Sequence, residues 1–143
     1  MKALTSGLIA NGFNKSITVR QSSQSSKWSA WWNNSPNVTI SLTSWRPGMA
    51  TDAGGYTSGY GSPGNPLSSI VYWGLSDTSV MFQADISDYV NATLHEMGHG
   101  VFGFPDTQGV SSSLMDYDYV YTPGQTFNSQ QVQTISNSIW GNH

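Results

Sequence analysis

The stretch that most constrains this chain is HEMGHGVFGFPD, from His95 to Asp106. Val90, Leu94, Met97 and Val101 recur at helical spacing through its first half, so a helix with one apolar stripe is predicted there. Asn91, Ala92, His95 and His99 lie on another side of that helix. The two histidines stand four apart, one turn above the other, where both imidazoles reach a single metal ion. A lone histidine on a helix is usually a satisfied polar residue, but here two of the chain's three fall in one motif.

Catalytic zinc usually takes three protein ligands and keeps its fourth position for water, so a third ligand is required. Glu96 is the single glutamate of the chain, which excludes a second, downstream glutamate as that ligand. Aspartates or His143 remain. Asp106 is the best placed, because Gly103 can end the helix in a left-handed conformation and Pro105 stiffens the returning chain. Asp116 and Asp118 stay open as alternatives. Glu96 itself directly follows the first histidine, the position that in HExxH sites holds the metal-bound water and takes its proton.

HExGH, then Gly103, then Pro105-Asp106, followed by Ser113-Leu114-Met115-Asp116-Tyr117, resembles the metzincin metallopeptidases with their methionine turn. The Pro-Asp ending is similar to the snapalysin-like branch, where aspartate stands as third zinc ligand. The likeness covers roughly residues 85 to 143, including Phe127 to Gly141, which is similar to the C-terminal helix of matrixins. One departure bears on the site: three residues, not the family's two, separate His99 from Gly103. One extra helical residue turns the next segment of chain by about 100° and advances it by about 1.5 Å. The resemblance implies zinc held by His95, His99 and Asp106, Met115 as a non-ligating hydrophobic floor, and Tyr117 stabilising an oxyanion or capping the zinc.

The composition narrows the classes further. Charged residues make up 9% with a formal net charge of -3, so no basic face for nucleic acid is expected. Ser, Thr, Asn and Gln account for 53 of 143 residues, which reads as a secreted or envelope-exposed surface. The 6 Trp, 7 Tyr and 5 Phe argue against low-complexity disorder. With no cysteine there is neither a disulfide nor a cysteine switch. Ala3 to Ala10 is a poor signal sequence, too short to span a membrane, and the chain reads as a mature domain.

Along the chain, Ser16 to Gln21 alternates like a strand, and Trp28, Trp31 and Trp32 have the spacing of a short helix within Ser23 to Asn34. Val38 to Trp45 is the clearest strand. Arg46 to Pro66 reads as a long loop whose tyrosines could line a substrate cleft. Asp52 and the carbonyls near it could hold a structural calcium, but no EF-hand ligand spacing is present. Leu67 to Trp73 and Ser79 to Ala84 read as two strands around a turn, one of them the edge that pairs with extended substrate. Ser87 or Asp88 is the expected helix cap.

These readings combine into one α+β domain over residues 1–143. A small twisted, mostly antiparallel or mixed sheet, an active-site helix and a C-terminal helix are expected, with zinc in a cleft between an upper and a lower part. The expected function is a monomeric zinc endopeptidase acting on polypeptide, with Glu96 as general base and no nucleic-acid or membrane partner. A catalytically silent zinc-binding relative and a secreted carbohydrate- or surface-binding module are the competing classes.

Overall fold

A computed structural model of the protein describes residues 2–19, 38–44, 55–73, 86–109, 113–116, 120 and 124–141. Over these residues the architecture is α+β, in the order α1 (Lys2–Ala10), β1 (Ile40–Ser44), β2 (Gly55–Thr57), β3 (Ser69–Trp73), α2 (Ile86–Phe102) and α3 (Ser129–Asn137). The sheet is mixed, in the order β1-β3-β2. β1 runs parallel to β3 from Ile40 opposite Ser69 to Ser44 opposite Trp73, and β2 runs antiparallel from Gly55 opposite Val71 to Thr57 opposite Ser69.

Two expected strands therefore form over their described parts, β1 within Val38–Trp45 and β3 within Leu67–Trp73, the latter being the one described member of the pair expected to supply an edge. β3 has a neighbour on both sides, so Leu67–Trp73 is no edge. Its outer neighbour β2 lies inside the stretch read as loop, where three residues beginning with glycine offer no alternation to detect. The other strand expectation, Ser79–Ala84, lies outside the described residues, as do the tryptophan helix and Asp52.

The strand expected at Ser16–Gln21 is not formed over its described part, residues 16–19. The Asn14 side chain accepts hydrogen bonds from the Ser16 amide at 2.8 Å and the Ser16 hydroxyl at 2.7 Å, and this local turn replaces a ladder. Residues 3–10, read as a weak apolar run, are helical instead. Leu8 is buried against the core shared with α2, and Asn11 then closes the helix by donating to the Gly7 carbonyl and accepting the Phe127 amide at 2.8 Å.

The apolar stripe of α2 does what its spacing predicts. Leu94, Met97 and Val101 are buried with Leu114, Phe127 and Ile135, and Val90 packs at the margin. The other side of the helix is not open to water, however: every residue from Asn91 to Val101 is buried. Asn91 donates to the Val120 carbonyl at 2.8 Å. Ser87 and Asp88 fall inside the first turn and do not precede it, where the Asp88 carboxylate complements the positive helix end.

At the other end of α2, the segment from Gly61 to Leu67 satisfies backbone carbonyls that the helix leaves over. The Gly61 amide donates to His99 at 2.9 Å and the Leu67 amide to Gly100 at 2.8 Å. Trp140, after α3, fastens this brace by donating its indole N–H to the Pro63 carbonyl at 3.0 Å. α3 itself starts on a capping box, with Asn128 and Gln131 each accepting the other's amide, at 2.9 and 3.0 Å. No helix of the described residues is long and apolar enough to cross a membrane.

Candidate metal centre

The two histidines are fixed at both ring ends by different parts of the chain. His95 Nδ1 lies 2.7 Å from the Leu114 carbonyl, and His99 Nδ1 lies 2.7 Å from the Phe104 carbonyl. A carbonyl only accepts, so each Nδ1 carries the proton and a neutral ring presents a bare Nε2. These two Nε2 atoms are 3.2 Å apart, and each is 3.2 Å from Asp106 Oδ1. Three electron-donating atoms thus form a triangle of equal sides, the one group of metal-ligating side chains among the described residues.

An arrangement of two lone pairs and a carboxylate at that separation requires positive charge between them. Burial works against protonation of His95, yet its contacts with Asp106 and the Leu114 carbonyl and the nearby Glu96 charge prevail, and its pKa is raised. The size of the triangle fits a metal as well as a proton. Donors about 2.0–2.1 Å from a tetrahedral zinc ion lie about 3.3–3.4 Å from one another. The donor set, two imidazoles and one carboxylate, is a zinc set too.

Asp106 reaches this position because the extra residue after His99 is absorbed by the helix. α2 continues to Phe102, whose ring packs edge-on against Phe13 and stacks on Phe104 at 5.4 Å between centroids. Gly103 then turns left-handed, at φ 69°, and its amide and that of Phe104 close on the His99 and Gly98 carbonyls. Pro105 and Asp106 come back over the helix. Of the other third-ligand candidates, Asp116 is buried outside the cluster, with its backbone bridged to Thr107, while Asp118 and His143 lie outside the described residues.

Met115 lies completely buried beneath α2. A Cβ added to Gly98, between the two histidines in the chain, would collide with its sulfur. Gly98→Ala should therefore push Met115 away from the helix that it packs against. We expect a loss of about 1–3 kcal/mol of stability, the usual cost of overpacking, read in a urea or thermal melt together with weaker zinc retention. Tyr117 lies outside the described residues.

Glu96 points toward the sheet. Thr57 Oγ1 is 2.5 Å from its Oε2, and the carboxylate occupies the space over Gly55, where a Cβ would stand 2.6 Å from Oε1 and Cγ. Burial pushes the Glu96 pKa up, opposed by the Thr57 hydrogen bond and the two histidines. A carboxyl with such a raised proton affinity is suited to taking and returning a proton. Gly55→Ala should crowd it out of place without touching the three donor atoms, so uptake of added zinc should stay at the wild-type level, measured side by side on one preparation.

Sequence reasoning did not find Thr57, Gly55 or the Leu114 and Phe104 carbonyls, since nothing local marks residues whose role arises only when distant segments meet. Tyr60, one of the tyrosines in the stretch read as loop, is 64% exposed with its ring edge-on to His99 at 5.7 Å. No family model, no curated protein and no solved structure matches the chain.

Proposed function

We propose that the protein is a zinc-dependent endopeptidase of the metzincin type, closest to its snapalysin-like branch. The observation that carries this reading is the triangle of His95, His99 and Asp106 with a buried carboxyl, Glu96, next to the first ligand on the same helix. Zinc, when bound, supplies a Lewis acid that activates water and polarises the scissile carbonyl. His95, His99 and Asp106 hold it. Glu96 accepts the proton of the attacking water and hands it to the leaving amine as the carbon–nitrogen bond breaks.

The reading places the zinc cleft between an upper part, with the sheet and α2, and a lower part after Gly103. Extended polypeptide then lies along β2, one of the two edges of the described sheet and the one that carries Thr57 beside Glu96, and Tyr117 serves the oxyanion. A surface this poor in charge goes with secretion or exposure at the cell envelope.

Digestion of unfolded casein or a peptide library, with and without chelator, tests this. Cleavage should be abolished by the chelator and restored by zinc. Stoichiometric zinc without any cleavage would assign a silent zinc-binding relative, and chelator-indifferent binding to glycans would assign a surface-binding module.

A further inference from the structure

We propose that Thr57, with Ser69 behind it, is a positioning residue that holds the Glu96 carboxylate in a single orientation. The proposal rests on the peptidase reading for its consequence in turnover, but its structural core does not need it. Thr57 lies in β2 and Ser69 opposite it in β3, and their hydroxyl oxygens are 2.7 Å apart.

Thr57 has one hydroxyl hydrogen and three acceptors in reach, Glu96 Oε2 at 2.5 Å, Ser69 Oγ at 2.7 Å and the Glu96 carbonyl at 3.3 Å. The shorter, charge-assisted bond takes the hydrogen. Ser69 then donates to Thr57, since its own distance to the Glu96 carbonyl is 3.5 Å. The hydroxyls are thereby aligned in one direction, Ser69 to Thr57 to Glu96, and a chain so aligned strengthens its last bond.

The reason such a clamp is needed lies in the glutamate itself. A glutamate on a helix has several rotamers, and its terminal carboxyl torsion is broad and soft. Thr57 fixes one oxygen, and Gly55, lacking a Cβ, leaves room for the other. Glu96 is buried and Thr57 half-buried, which makes the bond consequential, because removing the hydroxyl leaves a buried carboxylate short of a partner.

Three full-length variants test this. Thr57→Val keeps the shape and removes the hydroxyl, while Thr57→Ser keeps the hydroxyl and removes a methyl group. With zinc content unchanged, Thr57→Val should lower kcat about 10- to 100-fold, the scale of a small misplacement of a catalytic group, and leave KM within about twofold. Thr57→Ser should recover most of that loss. A Thr57→Val enzyme with wild-type kcat, a loss carried entirely by KM, or a Thr57→Ser enzyme as poor as Thr57→Val would each overturn the proposal.

The second readout is independent of activity and uses the third variant, Glu96→Leu. In metal-free protein, Thr57→Val and Glu96→Leu should each lower Tm, and the double variant should lose clearly less than the two losses together, because neither group is then left unsatisfied. Strict additivity would also overturn the clamp. A coupled pair in a chain that cleaves nothing would refute the peptidase reading and leave the clamp standing, so the two failures are separable.

Discussion

Replacing Asp106 by alanine is expected to abolish stoichiometric zinc binding, and with it all chelator-sensitive cleavage. Two imidazoles alone leave the ion with one protein ligand fewer than a catalytic site has, and the substitution removes the negative charge that offsets it. Asp116→Ala should keep full metal content, since its carboxyl stands apart from the cluster. His95→Ala and His99→Ala should behave as Asp106→Ala does. Stability should fall in all three, because on the proposed reading zinc would tie α2 to the segment after Gly103. An ion at 100 times its dissociation constant adds about 2.7 kcal/mol to the folded state. In a domain of this size that corresponds to roughly 10 °C in Tm. Retained zinc in Asp106→Ala, with loss in Asp116→Ala or Asp118→Ala, would move the third ligand out of this loop.

Glu96→Gln should do the opposite: keep zinc and fold, and lose turnover by roughly 10²–10⁴ or more, the range of a general base. The amide preserves the size of the side chain and can still accept from Thr57. It cannot take the proton. No other glutamate exists to substitute, and each aspartate would have to reach the same place from elsewhere in the chain. Steady-state rates on one peptide, at matched zinc content, decide this. Turnover near that of the wild type would assign the proton transfer to a different group.

What the sequence reveals and what it hides divides along the range of the interactions. His95, Glu96 and His99 are related by helical geometry alone, so spacing places them. Asp106 is a few residues further, and the signals that bring it back, a left-handed glycine and a proline, are local as well. The three residues between His99 and Gly103 still allow Asp106 to return to the two histidines, with Phe102 finding aromatic partners in Phe13 and Phe104. Phe13 comes from a distant segment, and its arrival could not be read beforehand. Thr57 is 39 positions from Glu96, in a strand too short to have a pattern. The same limit applies to the strand expected at Ser16–Gln21: alternation is a weak signal, and one asparagine side chain was enough to turn its described part.

α1 shows the converse case. Thr5, Ser6 and Gly7 interrupt its apolar run, which weakens both a signal sequence and an isolated helix, and short helices gain most of their stability from packing. Here packing supplies it, through Leu8 in the core and Asn11 tied to Phe127. The site depends on that frame at one remove, since Phe127 also stands beside Gly98, as Met115 does.

The central claim is that His95, His99 and Asp106 together hold one zinc ion, and X-ray absorption at the zinc edge of the loaded protein measures it most directly. The expected result is one zinc per chain, with nitrogen and oxygen neighbours only, at about 2.0–2.1 Å. The outer-shell scattering should be that of two imidazoles, reduced to one in His99→Ala if any metal is retained. A sulfur neighbour from Met115, scattering from three imidazoles, or a chain that takes up no stoichiometric zinc would contradict it.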